Sequence, residues 1–577
     1  MSQIRRPSLP SLPRKLRKRL TALARKISYA SWYHEYRLKG KHPLRLLGTP
    51  KDLWAGSCAA GAHILSDRFY DQGQLLRNPD HKAGEWPQGT IWRARDLDPK
   101  SLHYLHSFCW LRDLSCSVDR NAARQKALAL TGFWLKDFDQ WHDRAWSPDI
   151  LGQRIINWMA YAPLILDSND LVYRSKILNC LARQARHLYH RGDRSLRGLP
   201  RMRAIGGLIM AGLYVPYGED WLKKGTAQLN KALGEEIFSD GGVASRNPED
   251  LYRILRDSLM IRQSYKAMGH DVPEKLNDAI SRMTPMLKAL LHGDGSLALF
   301  NGASEQDAQE IEAVFSFSDT ASEDFSQPGG EESGFRRLHQ GATIIIADTG
   351  PPAPMDISGE GHAGTVSFEM SYGKHRMIVN CGSSHSAAGA AAHDLDRLSR
   401  STAAHSTLVL EDKNSSEIRT DGLIGRGPTR VISGHNAADG HMLVEASHDG
   451  YMSRFGIMHS RTIYLNETGH DVRGEDILKF MASKAKAPSP KFDVRFHLHP
   501  DVIISRQGAK DRLLLRLPTS EYWQFQCSGG AVAIEESLYL GAGSRPQNCR
   551  QIVVSGTGVA PETVIKWSLR QIERSPE

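Results

Sequence analysis

Between about Pro50 and Phe300, apolar residues recur every three or four positions, the spacing that gathers them on one face of an α-helix. Leu102, Leu105, Phe108, Leu111 and Leu114 form one such stripe. Ile150 to Leu164, Leu171 to Tyr189, Ile205 to Tyr214, Leu251 to Met268 and Leu276 to Leu291 form others, with no strand-like alternation between them. Helices in succession fit a bundle, a solenoid or an α/α toroid, and periodicity does not choose among the three. The lack of a repeat of fixed length weakens the solenoid. From Gly302 to Gly334 the pattern changes: Glu305, Asp307, Glu310, Glu312, Asp319, Glu323, Asp324, Glu331 and Glu332 stand among Ser and Gly, an acidic, weakly apolar stretch that reads as a linker. Ala342 to Asp348 then opens a series of strands, continued by Ser406 to Leu410, His441 to Ala446, Ser460 to Leu465, Leu513 to Leu517 and Gln551 to Val554. Their β-branched residues and closely spaced turns indicate an antiparallel β-sandwich. The expected division is a basic arm over 1–45, a helical domain over 46–301, an acidic linker over 302–335 and a β-sandwich domain over 336–577.

Two histidines stand out within the second domain. Gly361-His362-Ala363-Gly364 runs into an alternation of Val366, Phe368 and Met370 against Ser367, Glu369 and Ser371, so His362 sits at a strand mouth. Arg400-Ser401-Thr402-Ala403-Ala404-His405 leads into Leu408-Val409-Leu410 in the same way. Two such histidines can converge across neighbouring strands.

With Val366-Ser367-Phe368, Asn380-Cys381-Gly382, Arg495-Phe496-His497-Leu498-His499-Pro500 and Glu536 to Gly541, these segments resemble the C-terminal domain of the heparinase II/III family of polysaccharide lyases. Upstream the resemblance takes in Trp146-Ser147-Pro148, Arg154 to Trp158, Asp240-Gly241-Gly242, Ser245 to Pro248 and Asp294 to Leu297, nearly the whole chain after Pro50. It implies an incomplete α/α toroid followed by the sandwich. It also implies β-elimination across a uronic-acid bond of an acidic polysaccharide. Such a reaction needs a base for the C5 proton, an acid for the departing oxygen and a partner for the carboxylate.

The resemblance places His362 at the family's catalytic histidine, as base or acid, with Tyr252 as a candidate acid. Matching Asn247-Pro248 to the family's Ser-Pro puts Asp250, not Tyr252, at the tyrosine position, and with Pro248 at the first helical position Tyr252 falls about a turn inside. Arg246 and Asn247, ahead of a helix N-terminus, are candidate carboxylate binders, although Asn247 also suits a cap. Arg203, Arg154, Trp158 and His405 complete the expected substrate contacts. His405 aligns with a zinc ligand of the family, but the family's His-x-His reads His362-Ala363-Gly364 here and its Asp reads Asn380, short of the three or four ligands zinc needs. No cofactor is therefore expected, a divalent metal beside His405 being the lesser alternative. These departures also keep open a non-catalytic or differently catalytic protein that binds an acidic polysaccharide in the bacterial envelope or exopolysaccharide system.

Charge changes the picture only locally. The chain of 577 residues carries a formal charge of +10, but Arg5, Arg6, Arg14, Lys15, Arg17, Lys18, Arg19, Arg25 and Lys26 crowd the first thirty residues without an acidic one. Leu16, Leu20, Leu23 and Ile27 follow helical spacing there, so a peripheral contact with an anionic membrane is a candidate role. The basic residues lack the interleaved aromatics that a nucleic-acid platform needs, and no nucleic-acid partner is expected. No signal core or membrane span is legible, which suggests a cytoplasmic or membrane-peripheral setting, with the periplasm as the alternative. Seven scattered cysteines fit neither a disulfide framework nor a thiolate metal site.

Overall fold

The computed structural model describes residues 32–71, 74–78, 84–94, 97–191, 196–318, 330–383, 391–481, 489–508, 512–542 and 546–572. Most of the basic arm lies outside them.

Among the described residues, the helical half is carried by α1 (Arg120–Phe138), α2 (Pro148–Ala160), α3 (Leu171–Arg191), α4 (Gly198–Tyr214), α5 (Glu219–Glu236), α6 (Pro248–Ala267) and α7 (Glu274–Ala289). Helix α4 is the hub, packed against α2, α5 and α6. Its crossing with α2 is unusually close: a Cβ on Gly152 would lie 2.1 Å from the Arg203 carbonyl oxygen, and one on Gly207 would lie 2.3 Å from the Gly152 Cα. Only glycine fits that contact. The stripe from Leu102 to Leu114 is not one helix. It breaks into Pro99–His106 and Trp110–Ser115 at Phe108, whose φ is 61°. Burial explains the break, because the Phe108 ring sits among Trp92, Trp110, Trp134 and Trp158 with centroids 5.1 to 5.6 Å away.

The second half begins with β1 (Phe335–Gln340), β2 (Thr343–Asp348), β3 (Phe368–Tyr372), β4 (His375–Val379) and β5 (Leu408–Leu410). It continues with β6 (Val431–Ala438), β7 (His441–His448), β8 (Ile457–Leu465), β9 (Asp471–Phe480), β10 (Lys491–Leu498) and β11 (Ile503–Arg506). Strands β12 (Arg512–Arg516), β13 (Tyr522–Ser528), β14 (Ala531–Tyr539), β15 (Gln547–Thr557) and β16 (Glu562–Ile572) close it. They form two eight-stranded antiparallel sheets. One runs β11-β12-β13-β16-β9-β8-β7-β6, and the other runs β14-β15-β10-β4-β3-β2-β1 with β5 also paired to β10. Alternation along β8 buries Ile457, His459, Arg461, Ile463 and Leu465 on one face, against a core that includes Phe368, Phe496, Trp523, Phe525 and Trp567. The architecture is an α/α toroid-like half followed by an antiparallel sandwich.

The stretch read as a linker contains a further helix, Ala308–Ser316, capped by the Asp307 carboxylate and burying Ile311 and Val314. Two apolar residues three apart are enough to seat one short helix despite the acidic composition around them.

Buried charges join the two halves. Arg246, on the loop before α6, gives Nε to the Ser333 carbonyl (2.7 Å), Nη1 to the Pro351 carbonyl (2.6 Å) and Nη2 to Asp348. Glu369 of β3 accepts from His292 Nε2 (3.0 Å), Leu299 N (3.0 Å) and Asn380 N (2.8 Å). Arg376 of β4 reaches Asp294 at 2.7 Å.

Replacing Gly152 by Val is expected to force α2 and α4 apart and to cost about 3 kcal/mol. Urea unfolding with an unchanged m-value would register it as a lower midpoint.

Candidate functional site

The two histidines do meet. His362 follows a short 3-10 turn, Met355–Glu360, and His405 follows another, Thr402–Ala404. Strand β5 starts at Leu408 and not at Ser406, because Ser406 and Thr407 are bent, with Thr407 N donating to the His405 carbonyl at 2.8 Å. Cross-links hold the two segments together. Ala363 N donates to the Arg400 carbonyl (2.9 Å), the Thr402 hydroxyl donates to the Ala363 carbonyl (2.8 Å), and Arg400 Nε donates to the Gly361 carbonyl (2.9 Å). Gly364 lets the His405 ring come close, since a Cβ there would sit 2.6 Å from His405 Cδ2.

His362 Nδ1 lies 3.0 Å from His405 Nε2, and His405 Nδ1 lies 2.7 Å from the Ser401 carbonyl oxygen. That carbonyl can only accept, so His405 carries its proton on Nδ1 and its Nε2 is an acceptor. His362 must then carry its proton on Nδ1. Its Nε2 is left as a bare lone pair that finds no partner among the described residues. Burial, aided by His405, Arg400 and Lys100, lowers the His362 pKa well below the ordinary value, and burial lowers that of His405 to about 4. Both rings are neutral at pH 7.

Three non-glycine residues around the pair have left-handed backbones: Arg246 (φ 55°), Asn301 (φ 50°) and Val366 (φ 60°). For β-branched Val366 this is a true outlier, costing about 1–3 kcal/mol. Asn301 bridges the halves: its Oδ1 accepts from His362 N at 3.2 Å and its Nδ2 donates to the Arg246 carbonyl at 2.9 Å. Gly302 beside it keeps Asn247 and Glu360 close, a Cβ there falling 3.5 Å from Asn247 Nδ2 and 3.0 Å from the Glu360 carbonyl oxygen.

The other expected contacts are placed elsewhere. Tyr252 is buried. Its hydroxyl donates to Glu310 (3.1 Å) and accepts from Arg256 (2.9 Å), and burial pushes its pKa up to about 12. It ties α6 to helix Ala308–Ser316 and does not join His362. Arg246 is spent on the bonds described above. Asn247 caps α6 through Glu249 N at 2.8 Å. Arg154 lies within the helical core, bonded to Gln184, the His106 carbonyl and the Ala145 carbonyl and stacked on Trp134, with burial lowering its pKa to about 9. Trp158 packs beside it, 2% exposed. Neither offers a face to a sugar. Arg203, on α4, lies 3.3 Å from His103 and 3.9 Å from Asp257.

A zinc ion does not fit these residues. Both nitrogens of His405 are engaged, and Asn380 turns its Oδ1 to Ser406 N at 3.0 Å. Among the described residues no group of three or more His, Cys, Asp or Glu is placed to hold a metal.

Sequence reasoning missed Asn301, Glu369, His292 and Arg461. For Arg461 a signal existed: it and His459 occupy inward positions of an otherwise apolar strand face, which requires a buried polar network.

Burial also lowers the pKa of His103 (with Arg203 beside it), His106 (with Arg154 beside it) and His497, each to about 3. With His405 these rings stay neutral when folded and take protons once unfolded below about pH 6.5. The unfolded chain then binds more protons, so their contribution is full above pH 6.5 and is lost progressively as pH falls to about 4 for His405 and about 3 for the other three. Each ring approaches a slope of about 1.4 kcal/mol per pH unit. Asp71, raised to about 6 by burial and Asp98, opposes them with one proton. Urea midpoints should therefore fall steeply from pH 6.5 to 5, and His405→Gln should make that fall shallower by about one proton.

Comparison with known proteins bears on this geometry. The family model described as "Heparinase II/III-like, C-terminal" matches residues 324–568. A curated relative, "FtsZ-localized protein C" of Caulobacter vibrioides, is 30% identical over 565 residues, covering 94% of this chain and 93% of its own. Among solved structures, heparinase III aligns with a TM-score of 0.74 at 13% identity, over 94% of this chain and 89% of that one. The heparan sulfate lyase HepC of Pedobacter heparinus aligns with a TM-score of 0.59 at 15% identity, over 90% and 83%. The two structures share the fold, and the family model and the length-wide relative share the sequence: the chain belongs to the heparinase II/III-like family.

Proposed function

We propose that this protein cleaves an acidic, uronic-acid-containing polysaccharide by β-elimination, with His362 as the base. The supporting observation is the fixed proton order from the Ser401 carbonyl through His405 to His362, which holds His362 neutral with its Nε2 lone pair unclaimed. In the reaction, Nε2 takes the C5 proton, the C–H electrons form the C4–C5 double bond, and the C4–O bond breaks. The departing oxygen needs a proton, and the His362 imidazolium just formed can return it. That closes the cycle without Tyr252. Lys100, 3.4 Å from Glu360, is the exposed cation whose field reaches His362, and it is the group we assign to the uronate carboxylate.

A second reading, binding without cleavage, has its own support. Cations of the helical half already hold carboxylates: Arg253 with Glu249, Arg256 with Glu310, Lys100 with Glu360 and Arg203 near Asp257. A substrate carboxylate must compete with them. The name of the Caulobacter relative, FtsZ-localized protein C, adds a setting beside FtsZ. Among the described residues no helix is long and apolar enough to cross a membrane.

Near-ultraviolet absorbance of unsaturated uronate, followed against a panel of acidic polysaccharides, separates the readings. Elimination predicts a rise that His362→Ala reduces at least about a hundredfold, whereas Tyr252→Phe stays within about threefold. Binding with no rise on any polymer would leave the second reading.

A further inference from the structure

We infer that Arg461, in the sheet opposite the histidines, is a positioning residue that sets the geometry of the His362–His405 pair; this rests on His362 being the base. Arg461 is 3% exposed, and its guanidinium crosses the sandwich core. Nε and Nη2 grip the two oxygens of Asp476 at 2.8 and 3.0 Å. Nη1 is thereby aimed at two carbonyls at once, Val366 at 3.1 Å and Ser406 at 2.7 Å. Val366 ends the segment that begins at His362, and Ser406 follows His405. One nitrogen thus joins the two catalytic segments from behind.

The rest of the network serves that aim. Asp476 also accepts from Trp567 Nε1 (3.0 Å) and His459 Nε2 (2.8 Å), and His459 Nδ1 lies 3.1 Å from His448 Nε2. Burial works to raise the Asp476 carboxyl, but Arg461 and His459 override it and keep it ionised. A buried ion pair is a poor way to stabilise a core, where apolar side chains of the same volume do as well or better. Its particular capability is direction. A guanidinium can hold a carboxylate with two nitrogens while its third bridges two acceptors, which an ammonium cannot do. The bridge fastens Val366 in its left-handed conformation from the carbonyl side, while Val366 N donates to the Asp348 carbonyl at 2.8 Å on the other. If Val366 relaxes, the Ala363-Gly364 turn moves off the His405 ring and the Nδ1-to-Nε2 bond between the histidines is lost.

The test is Arg461→Lys in the full chain, read first by two-bond nitrogen–proton spectra of histidine-labelled protein at pH 7.5. Signals are assigned by their loss in His362→Gln and His405→Gln. The native chain should show His362 with a protonated Nδ1 and a bare Nε2. Arg461→Lys should replace that pattern by exchange between tautomers and, where elimination is measured, should lower kcat at least tenfold with KM within threefold. Ile463→Val, a cavity on the same strand, should lower the melting temperature and leave both readouts native. A folded Arg461→Lys chain with the native tautomer pattern overturns the proposal. If that variant does not fold, Trp567→Phe carries the test by removing the second donor to the Asp476 oxygen that holds Arg461 Nη2, and an unchanged pattern there overturns the proposal equally. A tautomer change in Arg461→Lys with no elimination by the native chain would defeat the lyase reading and leave the positioning role of Arg461 standing.

Discussion

The seam between the halves depends on charges that neither half could bury by itself. The Arg246 guanidinium leaves the helical half and finds every partner in the segments that open the sandwich, while Glu369 leaves the sandwich and is satisfied in part by His292 and Leu299 of the helical half. Removing one member of such a pair strands an unpaired buried charge, which costs about 3–5 kcal/mol. Slippage of one half against the other would strand several at once. The seam therefore fixes a single docking geometry, more sharply than apolar contact does, and the histidine pair is built on it.

On that seam the chemistry comes from proton order and not from charge. His405 is locked by a backbone carbonyl and in turn locks His362, so the direction of every proton follows from one acceptor that cannot donate. Burial keeps both rings neutral, the state that the proposed role of His362 as a base requires. The surrounding cations are mostly matched by carboxylates of the protein itself, so the environment is polar yet close to balanced. Under the proposed elimination, such a site would distinguish ligands by where they place a proton and a single carboxylate, less by total charge.

The helical and strand halves were legible because burial on one face leaves a periodic trace, and the meeting of His362 and His405 was legible because both open strands after glycine or small residues. The break at Phe108 was not: the five-residue stripe is helical in spacing, and only the surrounding tryptophans, distant in sequence, pull its backbone into the left-handed region. Arg154 and Trp158 show the same limit. Polar and aromatic residues on one helix suggest a sugar platform, but that helix is enclosed on all sides, and the guanidinium is held in the interior by two carbonyls and Gln184 through Nε and Nη1. Tyr252 was already off the motif's tyrosine position, and its place five residues past the cap of α6 sets it a turn inside the helix. Helix Ala308–Ser316 was hidden by the acidic composition around it, because a short helix needs only two or three apolar anchors.

Asn301 gives the seam a dynamic meaning. One side chain supports the backbone of His362 with its oxygen and the backbone of Arg246 with its nitrogen, and its own backbone is strained. Any hinge motion that parts the halves must break one of these bonds, releasing the strain and the His362 segment together. Opening and loss of the histidine support are then the same event: under the proposed elimination the chain reacts only while closed, and its polymer is threaded into, or itself completes, the closed form.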